Sequence, residues 1–294
     1  MNAPRKKGVL HCEDVSLEKL AFEYGTPLFV YSLASLRQAC RAYVNSFKAF
    51  SPVVAYSVKA NPSLAILQSL AAEGAGADIV SGGELFKAMK AGIPADRIVY
   101  AGVGKSAAEM AAALEAGVLL FNVESLAELE LLNQTAAQLG KRAPVAVRVN
   151  PDVDPRTHSY ITTGKKESKF GLDIKAAVEA YQRMRQMPHI EPAGVHCHIG
   201  SQITTLPPFL QAAEKVARLV GELKGLGIPL KWFDLGGGLG ITYNDETPPA
   251  IGEMAAAVAP FIAETGCRLI VEPGRSIAAP SSARQRRPGL RSGA

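Results

Sequence analysis

The chain lacks the marks of several large classes. Its four cysteines, Cys12, Cys40, Cys197 and Cys267, stand far apart, with no Cys-x-x-Cys pair and no extracellular context, so they read as reduced thiols and mostly as buried packing residues. No run approaches the ~18 consecutive apolar residues of a membrane span. The start, Met1 to Gly8, carries basic residues but no apolar signal-peptide stretch behind them. No membrane partner is therefore expected, and the expected compartment is the cytoplasm. A nucleic-acid partner is not expected either. Of the net charge of +5, four charges come from Arg284, Arg286, Arg287 and Arg291, in a terminal stretch without acids or stacking aromatics, and the body is nearly neutral. What remains is an ordinary globular balance, 48% hydrophobic and 20% charged over 294 residues, long enough to bury roughly three quarters of its unfolded surface.

From residue 50 onward, short β-rich apolar runs alternate with longer segments of helical spacing. The runs cover residues 53–58, 77–80, 97–101, 118–122, 145–149, 193–198, 231–235 and 268–272. The helical segments cover 64–72, 83–91, 107–116, 126–139, 176–187, 209–226 and 251–263, and one more, 35–47, precedes the first run. Strand–helix alternation predicts a parallel sheet covered by helices. Eight units predict closure into a (β/α)8 TIM-like barrel, with the early helix filling the slot after the last strand; an open doubly wound sheet is the alternative. The expected organisation is an N-terminal extension over residues 1–33, a barrel over 34–279, and a basic tail over 280–294. That tail is Ser-, Arg-, Gly- and Pro-rich without strand pattern, and is expected to be disordered.

Polar and glycine residues gather where the strands of such a barrel end. The first run leads into Lys59 and Asn61-Pro62; a lysine desolvated there has a lowered pKa and suits Schiff-base chemistry, whereas a solvated loop lysine is the plainer reading. The sixth run carries His196 and His198 on one strand face, followed by Gly200-Ser201-Gln202. Their spacing admits a metal pair or hydrogen-bonded core histidines, and since no carboxylate or cysteine accompanies them at ligand spacing, no metal is assigned. The seventh run ends in Asp234-Leu235-Gly236-Gly237-Gly238-Leu239-Gly240. Its glycines let backbone N–H groups approach a phosphate, though this is not the dinucleotide Gly-x-Gly-x-x-Gly turn into a helix. The eighth ends in Glu272-Pro273-Gly274-Arg275. A lysine for an imine, glycines and arginine for a phosphate, a histidine for a ring face and a glutamate for a ring nitrogen together describe a pyridoxal phosphate site.

These motifs resemble the barrel of the fold-type III pyridoxal phosphate decarboxylases of the alanine racemase/ornithine decarboxylase type, and the diaminopimelate decarboxylases in particular. The likeness runs through residues 25–31, 56–61, 77–85, Ser168-Lys169-Phe170-Gly171, 196–202, 234–240 and 272–275, and covers about residues 8–278. Phe170-Gly171 after a basic loop and His-Ile-Gly-Ser-Gln at 198–202 favour diaminopimelate over ornithine as substrate class. The resemblance implies pyridoxal 5'-phosphate as cofactor, with Lys59 as the Schiff-base lysine, His198 stacked on the ring and Glu272 at the ring nitrogen. It further implies Ser201, Gly236, Gly237, Gly238, Gly274 and Arg275 around the phosphate, with Arg275 also at the substrate and Asp78 and Arg148 as supports. The implied reaction releases carbon dioxide from meso-diaminopimelate to leave L-lysine, in a homodimer. A related racemase, another basic-amino-acid decarboxylase, or a non-catalytic cofactor-binding barrel are the alternatives.

The sequence departs from the family after Ile277-Ala278. There the family continues into a β-rich domain that supplies a cysteine and further substrate contacts, and none of the four cysteines here lies in such a motif. The expectation is a shortened product of a frameshift, with exposed apolar surface and impaired decarboxylation.

Overall fold

The computed structural model describes residues 5–6, 8–154 and 170–285. The chain begins with a small antiparallel sheet of β1 (Arg5–Lys6), β2 (Val9–Cys12) and β3 (Val15–Ser16), followed by α1 (Leu17–Tyr24) and β4 (Leu28–Tyr31). Next comes α2 (Leu33–Ser46), whose N-terminus is closed by the Ser32 hydroxyl accepting from Ser35 N.

Eight strands then form a closed, all-parallel barrel: β5 (Val53–Ser57), β6 (Gly76–Ile79), β7 (Ile98–Tyr100), β8 (Leu120–Val123), β9 (Ala143–Val149), β10 (Ile190–Cys197), β11 (Trp232–Asp234) and β12 (Arg268–Val271). Ile270 and Val271 pair with Val53 and Val54 to close it. The connecting helices are α3 (Leu64–Ala71), α4 (Gly82–Lys90), α5 (Ala107–Ala116), α6 (Leu126–Gln138), α7 (Ile174–Met184), α8 (Pro207–Gly225) and α9 (Ile251–Thr265). As the alternation predicts, α2 packs between α3 and α9 and completes the ring. The strand-to-helix turns repeat one chemistry: the hydroxyls of Ser81, Ser106 and Ser125 and the Asp173 carboxylate each accept the backbone N–H three residues on, starting α4, α5, α6 and α7. Among the described residues no helix is long and apolar enough to cross a membrane.

Strand alternation divides the core in two. Val54, Tyr56, Ala77 and Phe121 face the helices, whereas Val53, Ala55, Val99, Leu120, Ala146, Ala193, Trp232 and Ile270 fill the barrel interior. One step further along the same inward faces the residues turn polar, to Ser57, Asp78, Asn122, Arg148, His196, Asp234 and Glu272. The barrel thus has an apolar floor and a polar layer at its carboxyl end.

The β9–β10 ladder shifts register between Pro192 and Gly194. There the fully buried Tyr181 of α7 accepts a hydrogen bond from Val147 N at 3.2 Å and donates to Gly194 O at 2.5 Å. Tyr181→Phe leaves both backbone groups unmatched in the interior and is expected to cost about 1–3 kcal/mol of folding stability. A denaturant titration reads this, and an unchanged midpoint would show that the ladder does not need the hydroxyl.

The tail corrects an expectation. After β12 come the single-turn α10 (Arg275–Ala278) and a 3-10 turn, Ala279–Ser281, and then β13 (Ser282–Gln285) pairs antiparallel with β4, Ser282 opposite Tyr31 and Gln285 opposite Leu28. Ser32 N donates to Ser281 O at 2.8 Å. The edge of β4 offers backbone donors and acceptors that any extended segment can satisfy, so a strand forms here without a strand-like composition. Residues 286–294 and the Ser168-Lys169 part of the quoted motif lie outside the described residues.

Candidate active site

The polar layer opens into a cavity of about 860 Å³ that includes Ser57, Lys59, Arg148, Phe170, His196, His198 and Glu272 in its wall. A second lobe of about 430 Å³ shares Ser57, Lys59, His198 and Glu272 and adds Ser201, Gly238, Tyr243, Gly274 and Arg275. The carboxyl ends of β5 and β9 to β12 therefore bring Lys59, Arg148, His198, Ser201, Gly238, Glu272, Gly274 and Arg275 to this cavity, while Asp78 is fully buried and Gly236 and Gly237 face a small pocket with Tyr43, Phe209 and Met254.

Lys59 sits in a 3-10 turn directly after β5, with 52% of its side chain open to solvent. Its Nζ lies 2.5 Å from Asp78 Oδ2, which also accepts from Ser57 Oγ at 2.7 Å. The expected lowering of the lysine pKa is not what this geometry produces. Burial does pull it down, but the charges of Asp78 and Glu272 outweigh burial and the net direction is up. Asp78 is fully buried, and desolvation together with the Glu272 charge raises it to about 6 although Lys59 pulls the other way. The pair is thus asymmetric: an open ammonium on a buried, reluctant carboxylate.

Glu272 stands at the centre of the layer. Oε2 faces His196 Nε2 at 3.3 Å, and Oε1 accepts from Asn122 Nδ2 at 3.2 Å. Burial raises its pKa, yet His196 and Lys59 overcome burial and hold it down at about 2. Asp234 goes the other way, pushed well above its ordinary value by burial and by the Glu272 charge. The layer therefore concentrates its negative charge on Glu272. Sequence spacing had left His196 and His198 without a carboxylate partner; the fold supplies His196 with two, since His196, Asp234 and Glu272 place ligand-type atoms within 4.8 Å of one another.

His198 lines both lobes, and its Nδ1 accepts from Gly237 N at 3.3 Å. Burial lowers its pKa to about 4, so the imidazole is neutral near pH 7. The unfolded chain takes up a proton at the ordinary 6.5, the folded chain only near 4. Through that window the unfolded state holds more protons, and stability falls as the pH drops. Asp78 contributes with the opposite sign, its share being present below 3.8 and lost as pH rises through about 6. Comparing the parent with His198→Asn isolates the histidine: the parent is expected to lose more stability than the variant between pH 7 and about 4, and parallel curves would contradict this.

Beside His198 the chain turns on three glycines. A Cβ on Gly237 would stand 2.2 Å from the Glu272 carbonyl oxygen, and one on Gly238 2.4 Å from that of Gly200. Gly236 N donates to Asp234 Oδ1 at 2.9 Å, and its carbonyl accepts from Glu272 N at 2.8 Å, so turn and glutamate are knitted together. Across the smaller lobe, Arg275 donates from Nη2 to Ser201 Oγ at 3.1 Å and from Nη1 to the Tyr243 hydroxyl, whose ring lies 5.5 Å from the guanidinium carbon. Both partners are neutral hydroxyls, so the positive charge beside the glycine turn is not neutralised by them. Arg148 differs: its Nη1 is 2.9 Å from Glu124 Oε1, and its guanidinium lies 5.3 Å from the Phe170 ring.

Asn122, Glu124, Asp234 and Tyr243 belong to this site and escaped selection from the sequence. Asn122 and Glu124 follow the inward-facing Leu120, and Asp234 follows the inward-facing Trp232, at steps of two, a signal present in the pattern. Tyr243 lies in a loop, and nothing local distinguishes it.

A family model described as "Pyridoxal-dependent decarboxylase, pyridoxal binding domain" matches residues 33–279. The chain belongs to the pyridoxal-dependent decarboxylase family. Among its relatives in that family, the diaminopimelate decarboxylase of Neisseria meningitidis serogroup B is 48% identical over 268 residues, covering 91% of this chain and 65% of that protein. That of Aquifex aeolicus is 47% identical over 273 residues, 92% of this chain and 64% of the relative. The chain therefore spans slightly less than two thirds of the length of these relatives. Of solved structures, diaminopimelate decarboxylase from M. jannaschii in co-complex with L-lysine superposes with a TM-score of 0.90 at 40% identity, covering 96% of this chain and 68% of the other.

The pyridoxal-dependent family implies a cofactor, and the residues present fit one. Buried polar atoms without partners among the described residues surround the cavity, namely Asp78 Oδ1, Asn122 Oδ1, Arg148 Nε, His196 Nδ1 and Arg275 Nε. Gly238 and Gly274 line the smaller lobe beside a guanidinium that has no carboxylate partner among the described residues, so backbone and positive charge are open to a phosphate, and an open lysine amine faces the same lobe.

Proposed function

We propose that this chain binds pyridoxal 5'-phosphate in the cavity at the carboxyl end of the barrel. Lys59 Nζ supplies the amine to which it attaches, and Ser201, Gly236, Gly237, Gly238, Gly274 and Arg275 hold its phosphate. The observation that carries the reading is the placement of one open lysine amine, one buried ionised glutamate and one glycine–arginine anion cradle around a single cavity. When bound, the cofactor supplies an electron sink for the pair left behind as a carboxylate departs as carbon dioxide.

The chain's own residues do the rest. Asp78 Oδ2, 2.5 Å from Lys59 Nζ and raised to about 6, is placed to hold the proton that Nζ must release before the amine is free. Glu272, kept charged, favours a protonated ring nitrogen. The neutral His198 offers a flat face without a competing positive charge. Arg148, oriented by Glu124, supports the ring side of the larger lobe, and Arg275 reaches the smaller lobe, where a substrate carboxylate also arrives.

For the substrate we propose meso-diaminopimelate, decarboxylated to L-lysine. Relatives 47–48% identical carry the name diaminopimelate decarboxylase, and a structural neighbour holds L-lysine. Assembly of two copies into a dimer belongs to the same proposal. The test is incubation of the chain and pyridoxal phosphate with meso-diaminopimelate and, separately, with ornithine. Carbon dioxide and L-lysine in equal amounts support the reading; cofactor binding without either product would leave a binding barrel, and turnover of ornithine alone would reassign the substrate.

A further inference from the structure

Glu272 has one neighbour that the chemistry above leaves without a task. Asn122 closes the inward face of β8 and is fully buried. Its single amide nitrogen donates to two carboxyl groups at once, Glu272 Oε1 at 3.2 Å and Asp234 Oδ2 at 3.1 Å. The preceding inward residue on the same strand, Leu120, is apolar and packs with the barrel floor, so packing alone does not call for an amide one step higher.

The connections on either side of Asn122 are equally specific. Its backbone carbonyl accepts from Lys105 Nζ at 2.9 Å, and that fully buried ammonium also binds Gly102 O at 2.8 Å and Glu128 Oε1 at 2.6 Å. Beyond Asn122, Asp234 Oδ1 receives Gly236 N, the first amide of the glycine turn, at 2.9 Å. One hydrogen-bonded path therefore runs from an anchored lysine through Asn122 to both Glu272 and the turn. A carboxylate gripped on one oxygen can rotate about its last torsion; gripped on both, its plane is fixed. His196 holds Oε2, and Asn122 holds Oε1.

We propose that Asn122 is a positioning residue, which fixes the plane of the Glu272 carboxylate towards the cofactor ring and couples it, through Asp234, to the glycine turn that holds the phosphate. This rests on the cofactor reading above. The titratable groups that share the cluster with Glu272 are His196 and His198 of β10 and its end, Asp234 of β11, Asp78 of β6 and Lys59 after β5. Removing the amide strips Glu272 of a donor to its charged form. It also leaves Asp234, itself hydrogen-bonded to Glu272, as the side-chain donor remaining between the two carboxyl groups, so Glu272 becomes easier to protonate.

The test titrates pyridoxal phosphate into the parent, Asn122→Ala and Asn122→Asp, following the visible band and its dependence on pH, with circular dichroism on each protein. Asn122→Ala is expected to weaken cofactor affinity about 10- to 100-fold and to move the acid limb of the band's pH profile upward. Asn122→Asp keeps the shape, adds a carboxyl group and should shift the profile further the same way; it serves if the alanine variant does not fold. A folded variant with the parent's affinity and pH profile, even one with a lower melting temperature, overturns the inference and assigns Asn122 to the core alone. A parent without any band overturns the cofactor reading and this inference together.

Discussion

Replacing Glu272 by Gln is expected to lower turnover about 10²- to 10³-fold, the magnitude lost when a preorganised group facing developing charge is removed from a buried site. The side chain keeps its size, so the effect isolates charge. Glutamine cannot favour a proton on the ring nitrogen opposite it. Its amide nitrogen must also face either the Asn122 donor or His196 Nε2, both now paired with carboxylate oxygens. The variant has a second signature within the protein. Because the Glu272 charge raises both Asp78 and Asp234, its loss should let Asp78 fall below about 6. Steady-state kinetics on meso-diaminopimelate reads the first effect. Parental turnover in a folded Glu272→Gln protein would remove the glutamate from the chemistry.

Gly237→Ala carries the other large effect and acts by space alone. The added Cβ would stand 2.2 Å from the Glu272 carbonyl oxygen, a backbone atom that no rotamer change can move aside. Either the turn or the end of β12 must shift, and Glu272 N, bonded to Gly236 O at 2.8 Å, moves with them. The phosphate cradle and the ring-nitrogen acid are therefore expected to fail together. Overpacking of this kind costs about 1–3 kcal/mol of stability, and displacing a positioned group by an ångström costs on the order of 10²-fold in rate. Cofactor titration and thermal melting read the two effects separately. Unchanged affinity would mean that the phosphate does not sit on this turn.

Much of the architecture is written locally. Continuous apolar runs such as residues 53–57 and serine caps such as Ser81 and Ser125 fix each βα unit from within a few residues, and eight such units close into the barrel. The glycine run, Lys59 and Glu272-Pro273-Gly274-Arg275 were legible because each departs from an apolar strand at its end. What stayed hidden is non-local. Asn122 meets Asp234 and Glu272 across 112 and 150 positions of chain. The upward direction of the Lys59 pKa depends on Asp78, which only the pairing of Ser57 with Asp78 between β5 and β6 brings alongside. β13 was missed for a different reason: pairing on β4 draws on backbone groups that composition does not report.

Attachment of the cofactor at Lys59 is tested most directly by the absorbance spectrum of the chain with pyridoxal phosphate, beside Lys59→Ala, followed by borohydride reduction and mass analysis. A visible band and a cofactor-sized mass increment on the peptide containing Lys59 are expected in the parent, with both absent from the variant. The same band in both proteins, or an increment on another lysine, would contradict it.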